Sequence, residues 1–370
     1  MNFRSDNTAG ASEKVLAALI AANGGAQAAY GADEITARVE KALCEVFERE
    51  VAVFLVASGT AANSLALSCV TPPWGAVLCH AESHIAKDEC GAPEFFSAGA
   101  KIVGLPGIGC KLEPSTVARQ LARMPAGSLR DSQPAALSIT QATEAGTVYT
   151  LEEIAALAET AHARRLAVHM DGARFTNALV TLGCAPAEMS WKSGIDILSF
   201  GATKNGCLAA EAVIFFDKAK AAEMPFRRKR SGHTLSKGRL LAAQMEAYLE
   251  GGHWLDLARR ANNAAERLEQ ALLSLPGVRI GWPRQANEVF PIIPDAVHQR
   301  LRSANAVYHP WSPDWLPQPS MPRAGETLYR FVTSFRTSSL EIEALAAAGQ
   351  AEPSASPSVN ASRARQKRGV

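Results

Sequence analysis

Short apolar runs punctuate the chain: VAVFLVA (51–57), AVLCH (76–80), KIVGL (101–105), AALSIT (135–140), LAVHMD (166–171), DILSF (196–200) and AVIFF (212–216). They are continuous rather than alternating, which suits strands covered on both faces. Between them, apolar positions recur at helical spacing. In TLEEIAALAETAHARR, Thr150 and Glu153 form a capping box, and Ile154, Leu157, Ala158 and Ala161 share one face. DEITARVEKALCEVFERE (33–50) aligns Ile35, Val39, Ala42, Leu43, Val46 and Phe47 in the same way. This alternation predicts an α/β fold, with a mostly parallel seven-stranded sheet sandwiched by helices.

Further on, KGRLLAAQMEAYL and the stretch from His253 to Leu275 read as long helices separated by Gly251 and Gly252. A Pro-rich segment then leads into YRFVTSF (329–335), a strand of a smaller C-terminal α/β domain. The expected division is an N-terminal segment 1–30 near the active site, a large domain 31–245 and a small domain 246–345. A polar tail, 346–370, is too poor in apolar residues to pack and is expected to be disordered.

Composition narrows the function classes. The 370 residues are 47% hydrophobic and 20% charged, as in an ordinary globular chain. A net charge of +2 argues against general attraction to nucleic acid or acidic membranes. The seven cysteines are scattered with no CxxC pair, which points to free thiols in a reducing compartment. With no signal-peptide pattern and no bilayer-length apolar run, a soluble cytoplasmic protein is expected.

Ligands of such sheets gather at the carboxyl ends of strands. SGTAAN (58–63), HAESH, MDGAR (170–174) and GATKNG all fall there. Ser58, Gly59 and Thr60 offer two hydroxyls and free backbone N–H groups at a strand-to-helix junction, either a phosphate cradle or a plain N-cap. Asp171 ends an apolar strand and needs a partner, for which a pyridinium nitrogen and Arg174 both qualify. Lys204 is hemmed in by Gly201, Ala202, Thr203, Asn205 and Gly206. It is a nucleophile toward an aldehyde if desolvated, or an ion-pair partner of Glu211. Each signal alone is ordinary. Together a phosphate cradle, a ring-nitrogen carboxylate and a Schiff-base lysine meet the requirements of pyridoxal 5'-phosphate. His84 then serves as the aromatic plate over the ring and as an acid or base. The four-residue spacing of His80 and His84, with Cys79 and Glu82, is also compatible with a metal, but HAESH lacks the H-E-x-x-H order and no metal is expected.

Carrying these motifs, the chain resembles the threonine aldolase family, a β-eliminating-lyase-like branch of fold-type I pyridoxal phosphate enzymes. The likeness runs through FRSDN (3–7), AAYGADEITARVE, SGTAAN, HIAKDECG, VHMDGARFTNA, SFGATKNG and YRFVTS (329–334). The resemblance implies Lys204 as the Schiff-base lysine, Asp171 as the ring-nitrogen partner, His84 as the stacking histidine and Ser58, Gly59 and Thr60 as the phosphate cradle. It implies Arg174 near the phenolic oxygen and the substrate carboxylate, with Ser5 and Arg330 as further carboxylate ligands. Tyr30 is implied as an active-site wall, and Lys229 or Lys237 as a cation reaching a neighbouring subunit's phosphate. It also implies a homotetramer built from dimers with shared active sites.

Three stretches depart from the family pattern. Glu144, within ITQATEAGTVY, stands where family members place a histidine. NGCLAAEA replaces a glycine-rich turn after the lysine, and from Ser339 onward the last strand and helix read as shortened. The implied reaction is retro-aldol cleavage of threonine, allo-threonine or phenylserine to glycine and an aldehyde. His84 is the expected base for the β-hydroxyl, with Glu144 as second candidate. Transamination, β-elimination and a non-catalytic binding role are the alternatives.

Overall fold

A computed structural model describes residues 1–350. Seven strands form the main sheet: β1 (Ala52–Val56), β2 (Gly75–His80), β3 (Lys101–Leu105), β4 (Gln133–Thr140), β5 (Ala167–Gly172), β6 (Ile197–Gly201) and β7 (Glu211–Phe215). Their order is β1-β7-β6-β5-β4-β2-β3. Every residue of β2, β5, β6 and β7 is buried, as their continuous apolar runs require.

The sheet is not uniformly parallel: β7 runs antiparallel to both its neighbours, β6 and β1. A parallel return needs a crossover of a dozen or more residues. The link from Gly201 to Glu211 is shorter than that and holds only one 3-10 turn, Thr203–Asn205. The chain therefore reverses directly. This reversal, which carries Lys204, is the departure that sequence periodicity could not reveal.

The turn is held from below. Asn205 donates from Nδ2 to the Tyr248 hydroxyl at 2.8 Å and to the Trp254 carbonyl at 2.9 Å. Tyr248 and Trp254 pack with Phe200 of β6, and Phe200 packs on Phe47 and Phe175. Phe47 ends the helix Glu34–Val46, which Asp33 caps by accepting the Thr36 N–H at 2.9 Å. The capping box at Thr150 opens the helix Leu151–His162. The long helices are Arg239–Leu249 and His253–Leu273, parted by Gly251 and Gly252 at φ values of 64° and 72°.

The smaller domain has an antiparallel sheet of β8 (Arg279–Ile280), β9 (Glu288–Val289), β10 (Pro291–Pro294), β11 (His309–Pro310) and β12 (Glu326–Val332). The N-terminus is stitched to it. Phe3 donates its N–H to the Val307 carbonyl at 2.8 Å and accepts from Val332 N–H at 2.9 Å. This pairing delivers residues 5–7 to the carboxyl ends of the main sheet.

The C-terminal expectation needs correction. Ser339–Gln350 is a full helix that buries Ile342 and Leu345, so 346–350 belong to it rather than to a polar tail. The remaining tail positions, 351–370, lie outside the described residues.

Gly206 closes the lysine turn at φ 115°, and an added Cβ would sit 2.6 Å from Leu257 Cδ1. Gly206→Ala should cost about 1–3 kcal/mol from backbone strain and the clash, read as a lower denaturant midpoint with unchanged m-value.

Candidate active site

One cavity of about 280 Å³ opens at the carboxyl ends of β1, β4, β5 and β6. Ser58, Gly59, Thr60, His84, Glu144, Asp171, Arg174 and Lys204 all line it. Residues from well-separated stretches thus converge on one space, and Asp171 and Lys204 share it.

Asp171 is 4% exposed, and its partners are neutral donors. Oδ1 accepts from the Ala173 N–H at 3.0 Å and Oδ2 from Asn63 Nδ2 at 2.8 Å. It neither caps the helix Phe175–Leu182 nor holds Arg174, whose partners are Asp6 and Glu288. Beneath it, His169 is fully buried between Ser138 Oγ at 2.9 Å and Ser199 Oγ at 3.0 Å. Burial pushes this imidazole down to about 4, so it is neutral at physiological pH.

Lys204, on the reversal between β6 and β7, lines the same cavity as Asp171. Glu211, its expected alternative partner, accepts the Ala202 N–H at 2.9 Å instead, and burial pushes its carboxyl up to about 7.

Ser58 is both things the sequence allowed. Its Oγ accepts from the Ala61 N–H at 3.3 Å as the cap of the helix Gly59–Ser68, and it also lines the cavity. Gly59 and Thr60 open that helix, so their N–H groups have no intrahelical acceptor and stand available to an anion. A Cβ at Gly59 would meet nothing within 4 Å, which leaves the approach open.

His84 forms a dyad that the sequence did not suggest. Its Nδ1 lies 2.8 Å from Glu89 Oε1, and this hydrogen bond is the main cause raising the His84 pKa above its ordinary value. Glu89 is 4% exposed and its pKa is itself raised by burial. Asn63 Nδ2 donates to both Glu89 Oε1 and Asp171 Oδ2, at 2.8 Å each, so one amide links the dyad to Asp171. Glu144 sits against the same wall, its Oε1 accepting from the His84 N–H and from Thr140 Oγ1, both at 2.9 Å. Burial pushes Glu144 up to about 7, and its Oε2 is buried without a partner.

Arg174 is held by Asp6, with Nε to Oδ2 at 2.8 Å and NH2 to Oδ1 at 3.1 Å. Burial raises the Asp6 pKa, but Arg174 and Lys204 more than offset this and leave it below its usual value. Arg330 stands behind this pair, its guanidinium 4.7 Å from the Trp311 ring and its Nε buried without a hydrogen bond. Ser5 caps the turn Asp6–Thr8, and Asn7 rather than Ser5 lines the cavity.

Tyr30, Lys229, Lys237 and Arg330 are not among the cavity-lining residues of the single chain. Tyr30 is 54% exposed, with Lys229 Nζ 4.7 Å over its ring. His80 is a structural histidine: Nδ1 accepts the Glu82 N–H at 3.1 Å, Nε2 lies 3.0 Å from the Gly107 carbonyl, and the ring meets Trp315 edge-on.

Sequence reasoning missed Asp6, Asn7, Asn63 and Glu89, although all four fall inside motifs it had singled out: FRSDN, SGTAAN and HIAKDECG. It also missed His169 and Glu288. His169 lies in the run LAVHMD, read as covered on both faces, whereas Glu288 sits in a two-residue strand with no pattern to mark it as buried.

The two raised carboxyls have a consequence for stability. A buried acid at about 7 holds its proton in the native state while the unfolded chain, with a reference near 4.3, has lost it. Native protein then binds more protons, so the stability contributed by Glu144 and Glu211 falls as pH rises from about 4.5 to 7. Glu144→Gln should remove its share. Urea unfolding of the variant should show a smaller loss between pH 5 and pH 7.5 than the parent.

The β-eliminating lyase family model matches residues 2–294. The chain is 42% identical over 301 residues to a low-specificity L-threonine aldolase of a Pseudomonas species, covering 81% of this chain and 86% of the relative. The corresponding enzyme of Pseudomonas aeruginosa is 41% identical over the same shares. Among solved structures, a Leishmania major threonine aldolase superposes with a TM-score of 0.86 at 26% identity, covering 94% of this chain and 98% of that one. This chain belongs to the β-eliminating lyase family, among the threonine aldolases.

Proposed function

We propose that this protein is a pyridoxal-phosphate-dependent lyase that cleaves β-hydroxy-α-amino acids to glycine and an aldehyde, with threonine, allo-threonine and phenylserine as substrates. The observation that carries it is the shared cavity: Lys204 and Asp171 face one space that also holds the Ser58–Thr60 cradle and the His84–Glu89 dyad. The donor set fits the cofactor. Asp171, buried with neutral partners only, matches a cationic ring nitrogen, and the open N–H groups of Gly59 and Thr60 match a phosphate. When bound, pyridoxal phosphate supplies an aldehyde for the amine and a ring that accepts the electron pair released at Cα.

The chain's own groups do the remaining work. Arg330 and the free edge of Arg174 orient the substrate carboxylate, and that orientation selects which Cα bond is activated. Ser5 acts at one remove, capping the turn Asp6–Thr8 that places Asn7 at the cavity. His84 takes the β-hydroxyl proton, directly or through a water, its basicity raised by Glu89. Glu144 is the second acceptor. A carboxyl at about 7 populates both its acid and its base form near neutrality and can give or take a proton.

The assembly follows the same reading. Tyr30, Phe226 and Leu235 are exposed, and His233 of this region lies against Ala57, beside the cradle, accepting its N–H at 3.5 Å. Two copies meeting here bring Tyr30 and Lys229 or Lys237 toward the partner's phosphate, and pairs of dimers make the homotetramer. The free cysteines suit a cytoplasmic setting, and among the described residues no helix is long and apolar enough to cross a membrane.

Purified protein should be yellow and should convert threonine to glycine and acetaldehyde. Lys204→Ala should lose the near-visible band of the resting enzyme and roughly a thousandfold or more of turnover. Ketoacid in place of glycine would identify a different reaction, and a colourless protein that takes up no pyridoxal phosphate would overturn the reading.

A further inference from the structure

Between the two arginines lies a carboxylate with no assigned role. Glu288 begins β9, opposite Val332 of β12, and its side chain is fully buried. Neither of its oxygens has a hydrogen-bond partner. Its nearest cations are Arg174 NH1, 3.4 Å from Oε2, and Arg330 NH1, 3.9 Å from Oε1. Both separations exceed the 2.7–2.9 Å of a charge-assisted hydrogen bond. Arg174 has already committed Nε and NH2 to Asp6, and the Nε of Arg330 is itself unpartnered. Two guanidiniums therefore share one acid that neither grips.

The charges facing Glu288 are Arg174, Arg330, Asp6 and Lys204, with the Cys110 thiol also close enough to feel it. A substrate carboxylate delivered to Arg330 and Arg174 adds a third anion where Asp6 and Glu288 already stand. Like charges this close in a dry site do not all stay ionised. Asp6 is locked by two hydrogen bonds from Arg174 and one from Asn287. Glu288, with none, is the acid free to change state.

We propose that Glu288 is a placeholder for the substrate carboxylate: it balances the arginine pair while the site is open, and takes one proton from solvent when an amino acid binds. The inference rests on the arginines holding the α-carboxylate, as in the proposed function. The proton balance is simple. Glu288 carboxylate plus a proton becomes the neutral acid, and the incoming carboxylate replaces its charge beside the guanidiniums. Burial raises the Glu288 pKa above its ordinary value, and Arg174 and Arg330 offset only part of that rise. The consequence is affinity that weakens as pH rises.

The test uses holoenzyme titrated with glycine, followed by the near-visible absorbance change, from pH 6 to pH 9. In Glu288→Gln, which is neutral at every pH, glycine should bind at least about tenfold more tightly than in the parent at pH 9. The ratio of the two dissociation constants should grow with pH, by at most about tenfold per unit. Amine and cofactor titrations are common to both proteins and cancel in that ratio. A ratio independent of pH, or weaker binding by Glu288→Gln throughout, overturns the placeholder and leaves Glu288 as a prop for the arginines. Parent protein that binds glycine normally in that case keeps the proposed function intact. Parent protein with no response to glycine removes the function and this inference together. Should Glu288→Gln not fold, calorimetry of the parent with 3-hydroxybutanoate, a carboxylate without an amine, in two buffers of different ionisation heat still decides. Net proton uptake supports the proposal, and none overturns it.

Discussion

Asp171 is a carboxylate buried at the end of a central strand with only an amide and a backbone N–H for company. Burying such a charge is expensive unless a cation completes it. Its location dictates the rest of the site. The space beside it must admit a cationic ring, the strand ends must supply a phosphate contact at one side, and an amine must approach from the other. Ser58–Thr60 and Lys204 line the same cavity as Asp171. Asn63 ties the arrangement together, because a single NH2 group donates to both Asp171 and Glu89. His84 is thereby linked through Glu89 and Asn63 to Asp171.

Backbone topology gives the lysine its position. A helical crossover after β6 would have carried Lys204 away along a helix. The direct reversal into the antiparallel β7 instead leaves it on a tight turn at the carboxyl edge. Asn205, bonded to Tyr248 and Trp254, fixes that turn onto an aromatic layer behind the sheet. The amine is thus mounted on a turn tied to the core, as the proposed role of Lys204 requires.

Much of this was legible from the chain alone. All seven strands arise where continuous apolar runs stand, and the capping box at Thr150 opens its helix. The motif residues at strand ends converge because strand-to-helix junctions of one sheet face the same edge. The helix Ser339–Gln350, which reaches past the expected start of the tail at 346, was hard to read because only Ile342 and Leu345 of its large apolar side chains are buried. The dyad of His84 with Glu89 was hidden for a different reason. It depends on how the short helix His84–Lys87 folds back, not on the spacing of the two residues.

Fold class and the chemical parts follow from the chain's own residues: a small-residue loop at a helix start, an acid, an amine and an imidazole. Those are local properties, written in periodicity and residue type. Only the tertiary structure decided the partners. It gave Arg174 to Asp6 rather than Asp171, Glu211 to a backbone N–H rather than Lys204, and left Glu288 between two guanidiniums. Pairing of buried charges depends on distances across the core between residues far apart in the chain, and no local pattern encodes those distances.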